Sequence, residues 1–420
     1  MSRAGATGKS DALPPAVVFG LDSAGLEVCR ALGRRGVPVI GLDTRTSIAA
    51  ASRYCKARLC ADPRRAPEQL LRELLTLAGE LADRPVLMPL SDDWVVFMAN
   101  HRGELAKHYR FVQPAPELLL QLVDKCEIHE LARQHGLDIP RQLTVEQPAD
   151  LARVEGEVGF PCLLKPARTQ DWRQPEARAA LNSEKVLFAR DAAALQETYR
   201  RAAPFAVRHV AQEFLAGPDR DNYYVSAYID QSGRLRAAFV HRKLIMRPPG
   251  RGIGVLIESI RRDELTAQTA RLLLAIGHRG LAGLEFKLDQ RDGRYKLLDF
   301  NPRWGQGDSL AANCGMDLAW LYYCDCLGRE AQVPAEYPQG VKWLQLRPFL
   351  AAIRSARRER KESIWRNLWA LRGPLHHSVF AWDDLGPARW MVWDMLTARF
   401  KGRRGRIACR ATGPGRDEEA

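Results

Sequence analysis

Two stretches, LEFKLD and LLDFNPR, place oxygen donors at every second position. A β-strand sends successive side chains to opposite faces. Leu284, Phe286 and Leu288 therefore share one face, and Glu285, Lys287 and Asp289 share the other. In the second stretch Leu298 and Phe300 face the core, leaving Asp299, Asn301 and Arg303 opposite. If the strands pair, one surface gathers three carboxylates, a carboxamide, a lysine and a guanidinium. Hard oxygen ligands of this kind suit Mg²⁺, which takes one or two carboxylates and completes its shell with water and phosphate. Register decides whether they meet. A two-residue loop at Asp292–Gly293 would set Glu285 against Phe300, on the wrong face. An odd-length connection or a bulge sets it against Asp299 or Asn301, so the spacing predicts one of these. A lone hairpin of this type reads more readily as solvated surface charge.

It is not alone. Lys165 ends the apolar run FPCLLKP and is followed by Pro166, and Lys125 begins a helix after Asp124. Either could be a surface lysine lying along apolar neighbours, but lysine also holds phosphate as a point charge. In AQEFLAGPDRDNYY, Gln212 and Glu213 end a strand and Phe214–Leu215 precede Gly217–Pro218. That strand-to-loop step offers an apolar slot, backbone donors and acceptors for a purine, with Asp219 or Asp221 near a ribose. The stretch HRKLIMRPPGRGIG adds Arg242, Lys243 and Arg247, whose forks and ammonium suit carboxylate and phosphate.

These groups need elements to position them. PAVVFGLDSAGLEVCRALGRRGVPVIGLD reads as strand, helix, strand, a βαβ unit with a right-handed crossover. A third strand, RPVLMPLS, ends in Ser91, Asp92 and Asp93, and ligands gather at the carboxyl ends of parallel strands. A dinucleotide site is disfavoured here. Gly20 and Gly25 lack GxGxxG spacing, and Asp22 would repel a pyrophosphate. Further along, two helices end at Gly136, and hairpins turn at QSGR and RDGR. The chain beyond residue 331 reads as helical and Trp-rich.

Bulk composition narrows the classes. A chain of 420 residues that is 46% hydrophobic can bury a large core, and no apolar run is long enough to span a membrane. Nine scattered cysteines suggest reduced thiols, hence a cytoplasmic location. The net charge of +13 is concentrated partly in KGRRGRIACR near the end. Without interleaved aromatics or a nucleic-acid motif, that run reads as a solvated tail, and nucleic acid is not expected as a partner.

In this order the motifs resemble the ATP-grasp superfamily, specifically its carboxylate–amine ligase branch. The similarity runs through VDKCEIHELA, FPCLLKP, QEFLAGP, HRKLIMRPPGRG, EFKLD and LLDFNPR, over about residues 15–330. It implies an α/β chain with a Rossmann-like preceding domain (13–115) and a two-lobed ATP-grasp domain (116–330, hinge near 212–218); composition adds a disordered Gly/Ser/Ala-rich tail (1–12) and a helical basic extension (331–420) outside the shared fold. The resemblance further implies ATP with Mg²⁺ or Mn²⁺ in the cleft. Lys125, Lys165 and Lys185 would meet phosphates. Gln212, Glu213, Phe214 and Leu215 would hold adenine, and Asp221 the ribose. Glu285, Asp299 and Asn301 would bind metal; Arg303, with Lys243 or Arg247, would stabilise the transferring phosphoryl group. Ser91, Asp92, Asp93 and Arg242 would shape the substrate pocket.

Three departures stand out: Asp299 where the family usually has Glu, a glycine-free loop ARTQDWRQPEARAALNSEK over the phosphates, and the long extension. The expected activity is amide formation through an acyl phosphate; the alternative is a nucleotide-binding scaffold of the same fold without turnover. The stretch from Trp390 to Phe400 is apolar over much of a helix. It packs on the enzyme body or a second subunit, or lies on an anionic membrane surface.

Overall fold

The computed structural model describes residues 13–358 and 369–397. Four strands, β1 (Ala16–Phe19), β2 (Val39–Asp43), β3 (Lys56–Leu59) and β4 (Val86–Pro89), form a parallel sheet in the order β3-β2-β1-β4. β1, a central strand, and β4, at the sheet edge, are both buried throughout. Asp22 caps the helix Ser23–Gly33 by accepting from the backbone N–H groups of Ala24 and Gly25 at 2.9 and 3.3 Å. The amides a pyrophosphate would need are thus already used. A Cβ on Gly25 would lie 2.1 Å from the Gly20 carbonyl oxygen, so this glycine serves close helix–strand packing.

A second sheet holds β5 (Gln142–Val145), β6 (Cys162–Pro166), β7 (Leu187–Ala189) and β8 (His209–Glu213) in the antiparallel order β5-β8-β6-β7. The third is built on β9 (Asn222–Ile229), β10 (Leu235–Arg247), β11 (Ile253–Ser259), β12 (Gly280–Asp289) and β13 (Arg294–Asn301). Two more strands, β14 (Lys342–Leu344) and β15 (Leu375–His377), complete its order β13-β12-β9-β10-β11-β14-β15. The region beyond 331 is therefore not purely helical, as its composition suggested. Its Lys342–Trp343–Leu344 run is buried between β11 and the edge strand β15.

One hydrophobic core joins the first sheet to the third, running from Val18 and Met88 through Trp304 and Tyr322 to Tyr228 and Trp343. After β15 the chain returns to the first layer. Asp384 accepts from Arg30 Nε at 3.0 Å and from Ser52 Oγ at 2.7 Å, and both members of the ion pair are buried. Neighbouring Asp383 takes both arms of Arg34. The following helix, over 386–397, pairs Asp394 with Arg347 at 2.7 Å and leaves Trp393 and Leu396 exposed. The terminal tail 1–12, Phe400 and the basic run Lys401–Arg410 lie outside the described residues. Among the described residues no helix is long and apolar enough to cross a membrane.

Candidate active site

Pairing of β12 with β13 sets Glu285 directly against Asp299, with Gly283 against Asn301. The connection is four residues long, Gln290–Gly293, and a bulge between Glu285 and Phe286 restores the face. One extra residue on β13, Leu298, makes this shift. It is only partly buried, and Leu297 takes the core position expected of it. Directly opposed residues hold their Cβ atoms about 5 Å apart, so the two carboxylates open onto one patch. Asp299 and Asn301 share that face, and Asn301 Oδ1 accepts from Arg303 Nη2 at 2.8 Å.

Each carboxylate is held by a lysine. Lys125 Nζ donates to Asp299 Oδ1 at 2.8 Å and to Thr169 Oγ1 at 3.1 Å. Lys243 Nζ contacts Glu285 Oε1 in a short ion pair. Burial opposes charge on Asp299, but Lys125 beside it outweighs burial and holds its carboxyl below the usual range. Among the described residues no three His, Cys, Asp or Glu side chains cluster as metal ligands. Two carboxylates and a carboxamide are instead a hard, incomplete oxygen set. That fits Mg²⁺ sharing its shell with phosphate rather than a closed protein cage.

Lys165, at the end of β6, donates to Gln212 Oε1 at 2.7 Å from the neighbouring β8. Burial lowers its ammonium to about 8; Asp299 and Glu285 oppose this shift, and Lys125 and Lys243 add to it. Gln212 thus positions a lysine, and its own amide nitrogen is buried with no hydrogen-bond partner. Glu213 points the other way, as strand alternation requires. It accepts from Arg141 Nε and Arg291 Nη2, both at 3.1 Å, so its carboxylate is no base contact and only its backbone is left for that role. Phe214 and Leu215 follow at the hinge; Leu215 is buried, and Phe214 meets Phe188 edge to face. Asp221 accepts from Gln290 Nε2 at 2.7 Å, whereas Asp219 binds the backbone N–H groups of Met246 and Gly250 at 2.7 and 2.8 Å. Asp219 therefore anchors the 246–250 loop.

The glycine-free loop is folded. A 3₁₀ turn spans Thr169–Arg173 and a short helix Pro175–Ala180, with Trp172 and Leu181 buried in the small lobe. Asn182 and Ser183 supply the left-handed turn where glycine is commoner. Lys185 lies on its far side, open to solvent at its surface. Desolvation in the cleft, followed by Arg173 and Arg303, nevertheless lowers it to about 8.

Arg303 joins the first layer to the third. Its Nε donates to Asp92 Oδ1 at 2.5 Å and its Nη1 to the Trp304 carbonyl at 3.1 Å. Burial works against the Asp92 charge, but Arg303 and Arg173 outweigh it and hold the carboxyl far below its ordinary range. Asp93, mainly through burial, is raised, and Ser91 precedes both at the helix start. Arg242 departs from expectation. It alternates onto the opposite face from Lys243 and is neutralised by Glu258 on β11 at 2.7 Å, so it cannot line the cleft. Arg247 is exposed at the end of β10.

Sequence reasoning missed the floor of the cleft. Tyr224 stands opposite both Glu285 and His241, and the two rings stack at 5.2 Å. Strand alternation from Glu285 through β9 to β10 could have found both. Arg173 and Thr169 were hidden in a loop with no periodicity to place them.

A Rossmann-like parallel sheet, a small antiparallel lobe and a large antiparallel lobe, with lysines, hinge and paired acids facing one cleft, define the ATP-grasp fold. In sequence the chain is similar to curated ligases that have been studied in their own right. No family model matches it. It is 24% identical over 257 residues to the D-aspartate ligase of Enterococcus faecium, covering 60% of this chain and 61% of that one. To the D-alanine–D-alanine ligase of Pseudomonas entomophila it is 25% identical over 208 residues, 47% of this chain and 62% of the relative. The chain thus spans about three-fifths of the length of the curated relatives it matches. Among solved structures, N5-carboxyaminoimidazole synthetase from Staphylococcus aureus, complexed with ADP, superposes with a TM-score of 0.61 at 12% identity over 79% of this chain and 82% of that one. The L-amino acid ligase of Bacillus licheniformis gives 0.58 at 16% identity, covering 76% of this chain and 75% of that one.

Proposed function

We propose that the protein is an ATP-dependent, Mg²⁺-requiring ligase that joins a small-molecule carboxylate to an amine through an acyl phosphate. The observation that carries this is the register of β12 and β13, which opposes Glu285 and Asp299 in the cleft that also holds Lys125 and Lys165.

Glu285, Asp299 and Asn301 are the residues that would hold the metal; when bound, it neutralises phosphate charge. Lys165 and Lys125 hold phosphate oxygens, and the Phe214–Leu215 hinge takes the base, with Asp221 at the ribose. The γ-phosphoryl group passes to a carboxylate oxygen of the substrate and ADP leaves. The amine then attacks the acyl carbon, phosphate departs with the C–O electron pair, and the amine nitrogen loses a proton. Arg303, fixed by Asp92, neutralises charge on the transferring group. Phosphoryl transfer asks for positioning and charge stabilisation more than covalent help. Asp92 and Asp93 shape the acceptor end of the cleft, with Arg173 rather than Arg242 as the facing cation.

The substrates are small acids and amines in the cytoplasm, and a homodimer is one candidate assembly. The reading without turnover is favoured by the loop lacking glycine, but that loop is folded with Lys185 beside the cleft. Incubation with MgATP and mixtures of amino acids, with phosphate release measured, tests the proposal. Release that requires both an acid and an amine supports it; ADP binding with no release under any mixture favours the scaffold.

A further inference from the structure

Lys287 has no role in the scheme above, yet its placement is unusual. It lies on β12 two residues beyond Glu285 and on the same face, opposite Asn222 of β9. Only 2% of it is exposed, and its ammonium has no hydrogen-bond partner. Buried ammonium groups are ordinarily paired, because leaving water unpaired is costly. The contact it does make is with the hinge: Nζ sits 5.5 Å from the centroid of the Phe214 ring, in cation–π range. Burial disfavours its charged form, Asp219, Asp221 and Glu285 lie near enough to favour it, and Lys243 opposes them.

These facts give it a position along the cleft. The paired acids mark the phosphate end and Phe214–Leu215 the base end, and Lys287 lies between them. A second orphan, the Gln212 amide nitrogen, sits on the strand that leads into the same hinge. Two buried donors without acceptors, one against the Phe214 ring and one two residues before it, describe a place completed by a ligand rich in lone pairs.

We propose that Lys287 is a nucleotide-binding residue whose ammonium is satisfied by an acceptor on the nucleoside part of the bound nucleotide, a ring nitrogen or a sugar oxygen, while stacking against Phe214. The inference rests on the nucleotide reading above and adds a residue that selects the nucleoside rather than the phosphates. It also accounts for an unpaired cation being kept where a methionine would pack at lower cost.

The test is calorimetric titration of ADP and of adenosine into the full chain, wild type against K287M and K287R, with melting of each ligand-free protein. The expected result is at least a tenfold loss of affinity for both ligands in K287M, partial retention in K287R, and a K287M melting temperature equal to or above wild type. K287M binding ADP within twofold of wild type would overturn the proposal. So would a loss confined to ADP with adenosine unchanged, which makes Lys287 a phosphate contact, or a ligand-free K287M that melts lower, which makes it structural. Wild type that binds no ADP removes the nucleotide reading itself, an outcome separate from the other three.

Discussion

Asp92 Oδ1 lies 2.5 Å from Arg303 Nε, so a carboxylate in the first turn of a helix on the parallel sheet fixes a guanidinium just after the last strand of the acidic hairpin. The two residues are far apart in sequence. Their pairing makes the first layer a wall of the candidate cleft rather than an appendage. The Arg303 fork also reaches Asn301, so one cation ties the N-terminal layer to the Asn301 carboxamide.

Replacing Asp92 should therefore disturb chemistry more than nucleotide binding. In D92A the guanidinium keeps its contacts with Asn301 and the Trp304 carbonyl but loses its lateral anchor. Misplacing a positioned group by about 1 Å can cost ~10²-fold in rate. We expect a fall of that order in turnover of the acid and amine, with MgADP affinity changed less than about threefold. Steady-state kinetics beside calorimetry on one preparation checks this.

Proton linkage gives a second expectation. Lys165 is lowered to about 8 from an ordinary 10.5, chiefly by burial. Between those values the unfolded chain binds more protons than the folded one, so this group's contribution to stability rises with pH there. A bound phosphate restores the charged form. ADP binding a little above pH 8 should therefore take up protons, and uptake should fade at lower pH where the ammonium is already charged. Titration in buffers of different ionisation enthalpy reads this directly. K165M should lose most of the uptake, with Lys185, also lowered to about 8, supplying the remainder. Heats that do not depend on buffer would contradict it.

The C-terminal strap supplies a stability test. Arg30 and Asp384 are both almost fully buried, and Asp384 also accepts from Ser52 Oγ and the Arg53 N–H. Removing one partner of such a pair leaves the other charge uncompensated and costs about 3–5 kcal/mol. D384A should lower the melting temperature by several degrees, and a double change to apolar residues, R30M/D384L, should recover much of it. Thermal denaturation of the three proteins decides. No loss in D384A would mean the strap is not held by this pair.

Much of the architecture was legible from periodicity. The buried runs AVVF and VLMP, and the alternation in LEFKLD, carry their own faces, because a strand half or wholly inside a core has little freedom of composition. The need for a bulge followed from the same arithmetic, since without one Glu285 faces Phe300. Its position at Leu298 did not follow, because a bulge residue has no compositional mark beyond being one too many. The side chains of Glu213 and Arg242 were misplaced because each charged type suits either an ion pair or a ligand, and only the partners (Arg141 and Arg291, and Glu258) separate the two. β14 and β15 were missed because three-residue strands are too short to show alternation.

The central claim is that Glu285 and Asp299, opposed across the hairpin, hold a divalent ion together with nucleotide phosphate. The most direct measurement is electron paramagnetic resonance of Mn²⁺ titrated into the full chain with ADP present, for wild type, E285Q and D299N. Wild type is expected to bind Mn²⁺ only with nucleotide, and each substitution to weaken that binding by about tenfold or more while the fold survives. Mn²⁺–ADP binding unchanged in both variants would contradict the account.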